Sequence, residues 1–151
     1  MAGQSSTHME RALDEARAAA ARGEVPVGAV IVEWRSGAVL AAAGNRTEEL
    51  GDATAHAEML ALRQAAGQAG PRLGHCDIYV TLEPCPMCAQ ALSLARLRRL
   101  YYGAADAKGG GVEHGPRIFH QPTCHHAPEV YGGIDERRAG ELLRDFFGAR
   151  R

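Results

Sequence analysis

The sequence predicts an α/β protein, a three-layer α/β/α sandwich around a central mixed sheet, on two observations. Short apolar, β-branched runs alternate along the chain with longer stretches of helical composition, the pattern of a sheet covered on both faces. The first two β-type runs are separated only by a short turn, which makes them an antiparallel pair. A chain of 151 residues with ordinary charged and apolar fractions suits one domain, residues 1–151, whose core needs no disulfide staples.

Thr7 and Glu10 form a capping-box pattern ahead of Met9 to Ala21, an alanine-rich stretch of high helix propensity that Gly23 closes. Val25 to Val32 reads as a buried strand containing Gly28, where another backbone or a ligand can come close. Arg35-Ser36-Gly37 turns the chain into a partner strand, Ala38 to Ala43. After a polar loop, His56 to Ala66 is helical in pattern and is stopped by Gly67 and Gly70-Pro71. Ile78 to Leu82 has the strongest strand composition. Pro86 suits the first turn of a helix running through Leu94, because it has no N–H to lose there. Arg98 to Tyr102 is a fourth strand. Gly109 to Gly133 is rich in glycine, proline and histidine and shows little periodicity, so it is either functional or hides a short element. Asp135 to Gly148 is a helix with Leu142, Leu143, Phe146 and Phe147 on one stripe.

A net charge of −1 provides no global field to hold a nucleic acid, so any such contact must be local. The polar stretch Met1 to Ser6 lacks the apolar centre of a secretory signal, and no apolar run is long enough to span a bilayer. A cytoplasmic protein without a membrane partner is expected. Of four cysteines, Cys85 and Cys88 form a close pair while Cys76 and Cys124 stand alone, which in a reducing compartment reads as metal binding.

That pair sits in Thr81-Leu82-Glu83-Pro84-Cys85-Pro86-Met87-Cys88, to be taken with His56-Ala57-Glu58. Two cysteines three apart at a helix start can turn their sulfurs to one side, where helix N–H groups stabilise thiolates. Thiolates favour zinc over harder cations, and His56 supplies a third ligand, leaving one position for water. Glu58 is two residues from His56, off its helix face and thus a poor fourth ligand. It is placed instead to take the proton of that water, pass it to a substrate ring nitrogen and protonate departing ammonia. The competing view, a structural zinc site, needs four protein ligands, and the chain has no second Cys-x-x-Cys.

Set beside Glu24-Val25-Pro26-Val27-Gly28-Ala29-Val30, these motifs resemble the cytidine deaminase-like superfamily and, more narrowly, the bacterial tRNA-specific adenosine deaminases. The resemblance continues through Asn45-Arg46, Thr54-Ala55, Asp106-Ala107-Lys108 and Asp145-Phe146-Phe147, over nearly the whole chain. It implies a cytidine deaminase-like fold, one Zn2+ per subunit, and hydrolysis of the wobble adenosine of a tRNA anticodon loop to inosine by a homodimer with active sites near the subunit interface. By residue, it implies that Asn45 hydrogen-bonds the nucleoside and that Ala55 and the backbone around Leu82 and Glu83 line the base. It also implies that Asp106, Lys108, Phe147 and Arg151 touch flanking nucleotides. Gly109 to Gly133 departs from the family pattern, so no contact is transferred from it.

Two other functions fit part of the pattern: deamination of a free base or nucleoside such as cytosine or guanine, and a non-catalytic zinc-containing RNA-binding module. The second has no use for Glu58. Cys76 reads as a small buried hydrophobe, and Cys124-His125-His126 as a polar loop, because adjacent ligands splay apart. Trp34 could stack on a base but is more simply packed. Arg96, Arg98 and Arg99 form a candidate basic stripe, and acidic residues interleave with Arg137, Arg138 and Arg144. Phe146 and Phe147 cannot both face inward from adjacent positions; Phe146 is the expected core residue. The apolar face of the Cys88 to Leu94 helix exceeds what one subunit covers, which supports the homodimer.

Overall fold

The structure, a computed structural model, describes residues 2–150, with side chains from Thr7 onward; Arg151 lies outside the described residues. Helix α1 (Ala2–Ala21) is followed by strands β1 (Gly28–Glu33) and β2 (Val39–Gly44), the short helix α2 (Thr47–Leu50) and helix α3 (Ala57–Ala69). Strand β3 (Cys76–Leu82), helix α4 (Pro86–Leu94) and strand β4 (Arg99–Ala104) come next, then a 3-10 turn (Ile118–His120), strand β5 (Glu129–Tyr131) and helix α5 (Glu136–Gly148). The sheet order is β2-β1-β3-β4-β5. β1 is antiparallel to both neighbours, whereas β3, β4 and β5 are parallel, so the sheet is mixed as expected.

Each face of the sheet has its own apolar layer, as side-chain alternation along a strand requires. Ile78 and Val80 of β3 face Ala61 and Ala65 of α3 and Ala89 and Leu92 of α4, while Tyr79 faces Met9 and Leu13 of α1 and Ala139 of α5. Cys76 is fully buried in the first layer, and burial pushes its thiol up to about 11.

Gly28 is where α1 meets the sheet. A Cβ there would stand 2.0 Å from the Ala12 carbonyl oxygen and 2.7 Å from the Ala16 nitrogen, so the absent side chain admits the helix backbone. This is the backbone approach that its place in the strand suggests.

Several boundaries differ from expectation; β1, for one, begins at Gly28 and not at Val25. α1 begins at Ala2, not after a Thr7 cap: Gly3 lowers helix propensity but stands in the first turn, and the capping box is a local preference that a continuing helix overrides. α3 runs past Gly67 to Ala69; an exposed mid-helix glycine costs about 1 kcal/mol but does not stop a helix whose other face is packed. The segment 109–133 contains the 3-10 turn and all of β5, whose three residues pair with Arg99–Tyr101.

Candidate metal centre and active site

Two helix starts converge beside the end of β3. His56 is the N-cap of α3 and Cys85 the N-cap of α4, both in extended backbone conformation, with Pro86 at the first helical position. Cys88 lies one turn into α4 and is fully buried. His56 Nδ1 stands 3.6 Å from Cys85 Sγ and 3.5 Å from Cys88 Sγ. A tetrahedral zinc with Zn–S of about 2.3 Å and Zn–N of about 2.0–2.1 Å has an S···N edge of about 3.6 Å, so the donor set has the dimensions of a zinc site. The three ligand atoms lie within 4.8 Å of one another, and no fourth such side chain joins them among the described residues.

The Cys88 thiol and its backbone N–H both bond to Cys85 Sγ, which brings Cys85 down to about 4 against the effect of burial. Cys88 is raised for the same reason: it holds the proton that its neighbour has lost. The Cys85 hydrogen bond raises His56. Glu58, in the first turn of α3, is 4 % exposed, and burial pushes its carboxyl up to about 7 although its own backbone N–H favours the charged form. A carboxyl poised near neutrality suits a group that must both take up and release a proton.

His56, Glu58 and Cys85 open onto a cavity of about 290 Å³ that Asn45, Leu82, Glu83 and Asp106 also line. That volume is at the small end of the usual range for ligand pockets. Asn45 is buried, and its Nδ2 donates to Glu24 Oε1 and to Thr47 Oγ1, each at 3.4 Å. Ala55 is fully buried but is not part of the wall. Lys108 is exposed outside it, and Phe147, 48 % exposed, packs edge-on against buried Phe146.

Two buried carboxylates have a part that the sequence reading passed over. Glu24 accepts N–H groups from Glu48 at 3.1 Å and Glu49 at 2.8 Å, fixing α2 beside Asn45. Glu83 lines the cavity, but its carboxylate is turned into the loop after β4. It accepts from the backbone N–H of Asp106, Val112, Glu113 and His114 at 2.9–3.2 Å and stands 2.7 Å from His114 Nδ1. Burial opposes its ionisation, but these bonds win and hold the carboxyl below the usual range. Val25, Val27, Thr47, Ala57 and Gly109 complete the wall. The available signal was an acid at each strand end, Glu24 and Glu83, flanked by apolar residues and therefore in need of internal partners.

Residues 2–104 match the cytidine and deoxycytidylate deaminase zinc-binding region. The chain is 59 % identical over 147 residues to the tRNA-specific adenosine deaminase of Agrobacterium fabrum, covering 96 % of this chain and 95 % of that one. It belongs to the tRNA-specific adenosine deaminase family. A solved structure from work on A-to-I editing by tRNA deaminases at the wobble position superposes with a TM-score of 0.87 at 59 % identity, over 91 % of this chain and 99 % of the other. The guanine deaminase of Nitrosomonas europaea shares the fold more distantly, at 25 % identity and a TM-score of 0.83 over 95 % of this chain and 84 % of the other. For this deaminase, the family's zinc-binding character and the His56, Cys85, Cys88 donor set agree.

Proposed function

We propose that this deaminase converts the wobble adenosine of a tRNA anticodon loop to inosine, acting as a single-domain subunit of a cytoplasmic homodimer with one zinc per subunit. The observation that carries the reading is the carboxyl of Glu58, buried beside a three-ligand zinc-sized cluster and open to a cavity of about 290 Å³. His56, Cys85 and Cys88 would hold the ion. Zinc there supplies Lewis acidity that makes water nucleophilic near neutral pH.

The chain's own groups do the rest. Glu58 takes a proton from the attacking water and delivers it to N1 of the purine; the second water proton leaves with the departing ammonia by the same carboxylate. The sum is adenosine plus water to inosine plus ammonia. Asn45, held by Glu24, keeps an amide facing the nucleoside. Leu82 and the Glu83 backbone flank the base, and Asp106 stands at the mouth. A base in an anticodon loop is already outside a duplex, so its entry costs little beyond unstacking.

Dimerisation is supported by an apolar groove between α3 and α4, about 300 Å³, to which Met59, Leu62, Leu73, Ala91 and Leu94 contribute. Leu94 is 71 % exposed. Among the described residues no helix is long and apolar enough to cross a membrane.

The test is incubation of zinc-loaded protein with an anticodon stem-loop bearing a wobble adenosine, alongside free guanine, cytosine and adenosine. Inosine formation in the RNA, with slow or no ammonia release from the small compounds, is expected. Turnover of a free base with none of the RNA would overturn the assignment.

A further inference from the structure

A second cavity, about 360 Å³, lies at the opposite end of β3 from the metal cluster and shares no wall residue with the catalytic cavity. Its lining includes Trp34, Arg35, Tyr79, Arg98, Arg99 and Tyr101. Asp77, also in its wall, is five residues before Leu82, or about 17 Å along an extended strand. Tyr79 belongs to the sheet face covered by α1 and α5, so the apolar groove between α3 and α4 is on the other side, and a dimer formed there leaves this cavity free.

The chemistry of the wall is aromatic and cationic. Tyr79 and Tyr101 stack with centroids 4.5 Å apart and planes 3° from parallel, and Tyr101 continues onto Tyr131 at 5.2 Å. The Arg98 guanidinium lies 4.4 Å over the Trp34 ring and is held flat by a two-point bond to Asp77 at 3.0 and 2.8 Å. Arg99 donates to Glu129 at 2.8 Å and to the Tyr101 hydroxyl at 3.3 Å. These contacts by themselves fit a packed sheet end. Sheet packing does not account for Arg35, whose guanidinium lies 5.2 Å from the Trp34 ring and forms no ion pair among the described residues, or for a tryptophan left 40 % exposed at the rim of an open cavity.

We infer that this cavity, between Trp34 and the guanidinium groups of Arg35 and Arg99, is a second binding site whose ligand is a nucleotide of an RNA strand. A ring face for the base beside fixed and free guanidinium groups for the phosphate is the recognition chemistry of unpaired nucleotides. The choice of an RNA strand as the source rests on the proposed RNA substrate; the nucleotide chemistry does not.

Trp34 is the only tryptophan in the chain, so its emission reports on the cavity directly. Zinc-loaded protein is titrated with a short oligouridylate, which contains no base with an adenine amino group to hydrolyse, and in parallel with UMP. The oligonucleotide is expected to quench Trp34 saturably, with affinity falling as salt rises. Arg35→Glu should weaken it about tenfold, an effect that Arg35→Lys largely restores. Should Arg35→Glu not fold, Arg35→Ala gives the same reading at smaller amplitude. Unchanged emission, or equal affinity in wild type and Arg35→Glu, would overturn the site; UMP binding as tightly as the oligonucleotide would overturn the assignment to an RNA strand. Because the signal needs no turnover, a protein that quenches but does not deaminate RNA separates failure of the proposed function from failure of this site.

Discussion

His114 Nδ1 lies 2.7 Å from Glu83 Oε1, joining a half-exposed loop histidine to a carboxylate with no exposed side chain. The loop after β4, which carries His114, lies flush against the turn that bears Cys85: Gly111 N–H donates to the Pro84 carbonyl at 2.8 Å, and a Cβ on Gly111 would meet the Pro86 nitrogen at 2.5 Å. Glu83 thus ties the wall that carries Asp106 and Gly109 to the turn that carries Cys85.

Glu83→Ala strands several backbone N–H groups at once and should cost about 3 kcal/mol or more of stability. Glu83→Gln keeps one acceptor oxygen and should cost less. Urea denaturation of the zinc-loaded proteins checks the order; equal stability of all three would remove the bracket.

Gly28→Ala drives a methyl group into the backbone of α1, where neither the Ala12 carbonyl nor the Ala16 nitrogen can step aside without moving the helix. A loss of about 3 kcal/mol or failure to fold is expected. A change under about 0.5 kcal/mol, the range of ordinary surface substitutions, would show that the approach is looser than described.

Metal removal should expose a difference between the cysteines. With Cys85 held at about 4, its thiolate is fully formed at pH 7, whereas Cys76 at about 11 stays protonated and buried. After chelation, iodoacetamide should alkylate Cys85 at a rate nearly flat from pH 6 to 9, because the group is already ionised throughout. Cys76 should react only on unfolding. Peptide mapping reads both, and preferential labelling of Cys76 in folded protein would contradict the assignment.

Leu94→Glu places a charge in the groove between α3 and α4. If that groove is the subunit interface, sedimentation at micromolar concentration should shift from dimer to monomer, while a wild-type monomer would remove the homodimer from the account.

The site was readable where chemistry dictates residue type at short spacing. Cys85, Pro86 and Cys88 specify their own helix start, and the i,i+2 offset of His56 and Glu58 sets apart the imidazole that joins the two cysteines from the buried carboxyl beside them. The β3 strand was equally local. The second half of the site was not, because it is assembled by long-range bonds: Glu24 reaches α2 from 24 and 25 residues away, and Glu83 holds a loop 23 to 31 residues on. β5 escaped notice for the same reason, since three residues become a strand only by pairing with β4. Lys108 and Phe147, which the resemblance assigns to flanking nucleotides, stand outside the cavity wall.

The division of labour between ligands and proton carrier is tested most directly by Glu58→Ala, assayed together for zinc content and for inosine formation in an anticodon stem-loop. One zinc per chain with deamination reduced by about 10²–10⁴-fold or more is the expected result. A variant that keeps its zinc and deaminates at the wild-type rate would contradict the account.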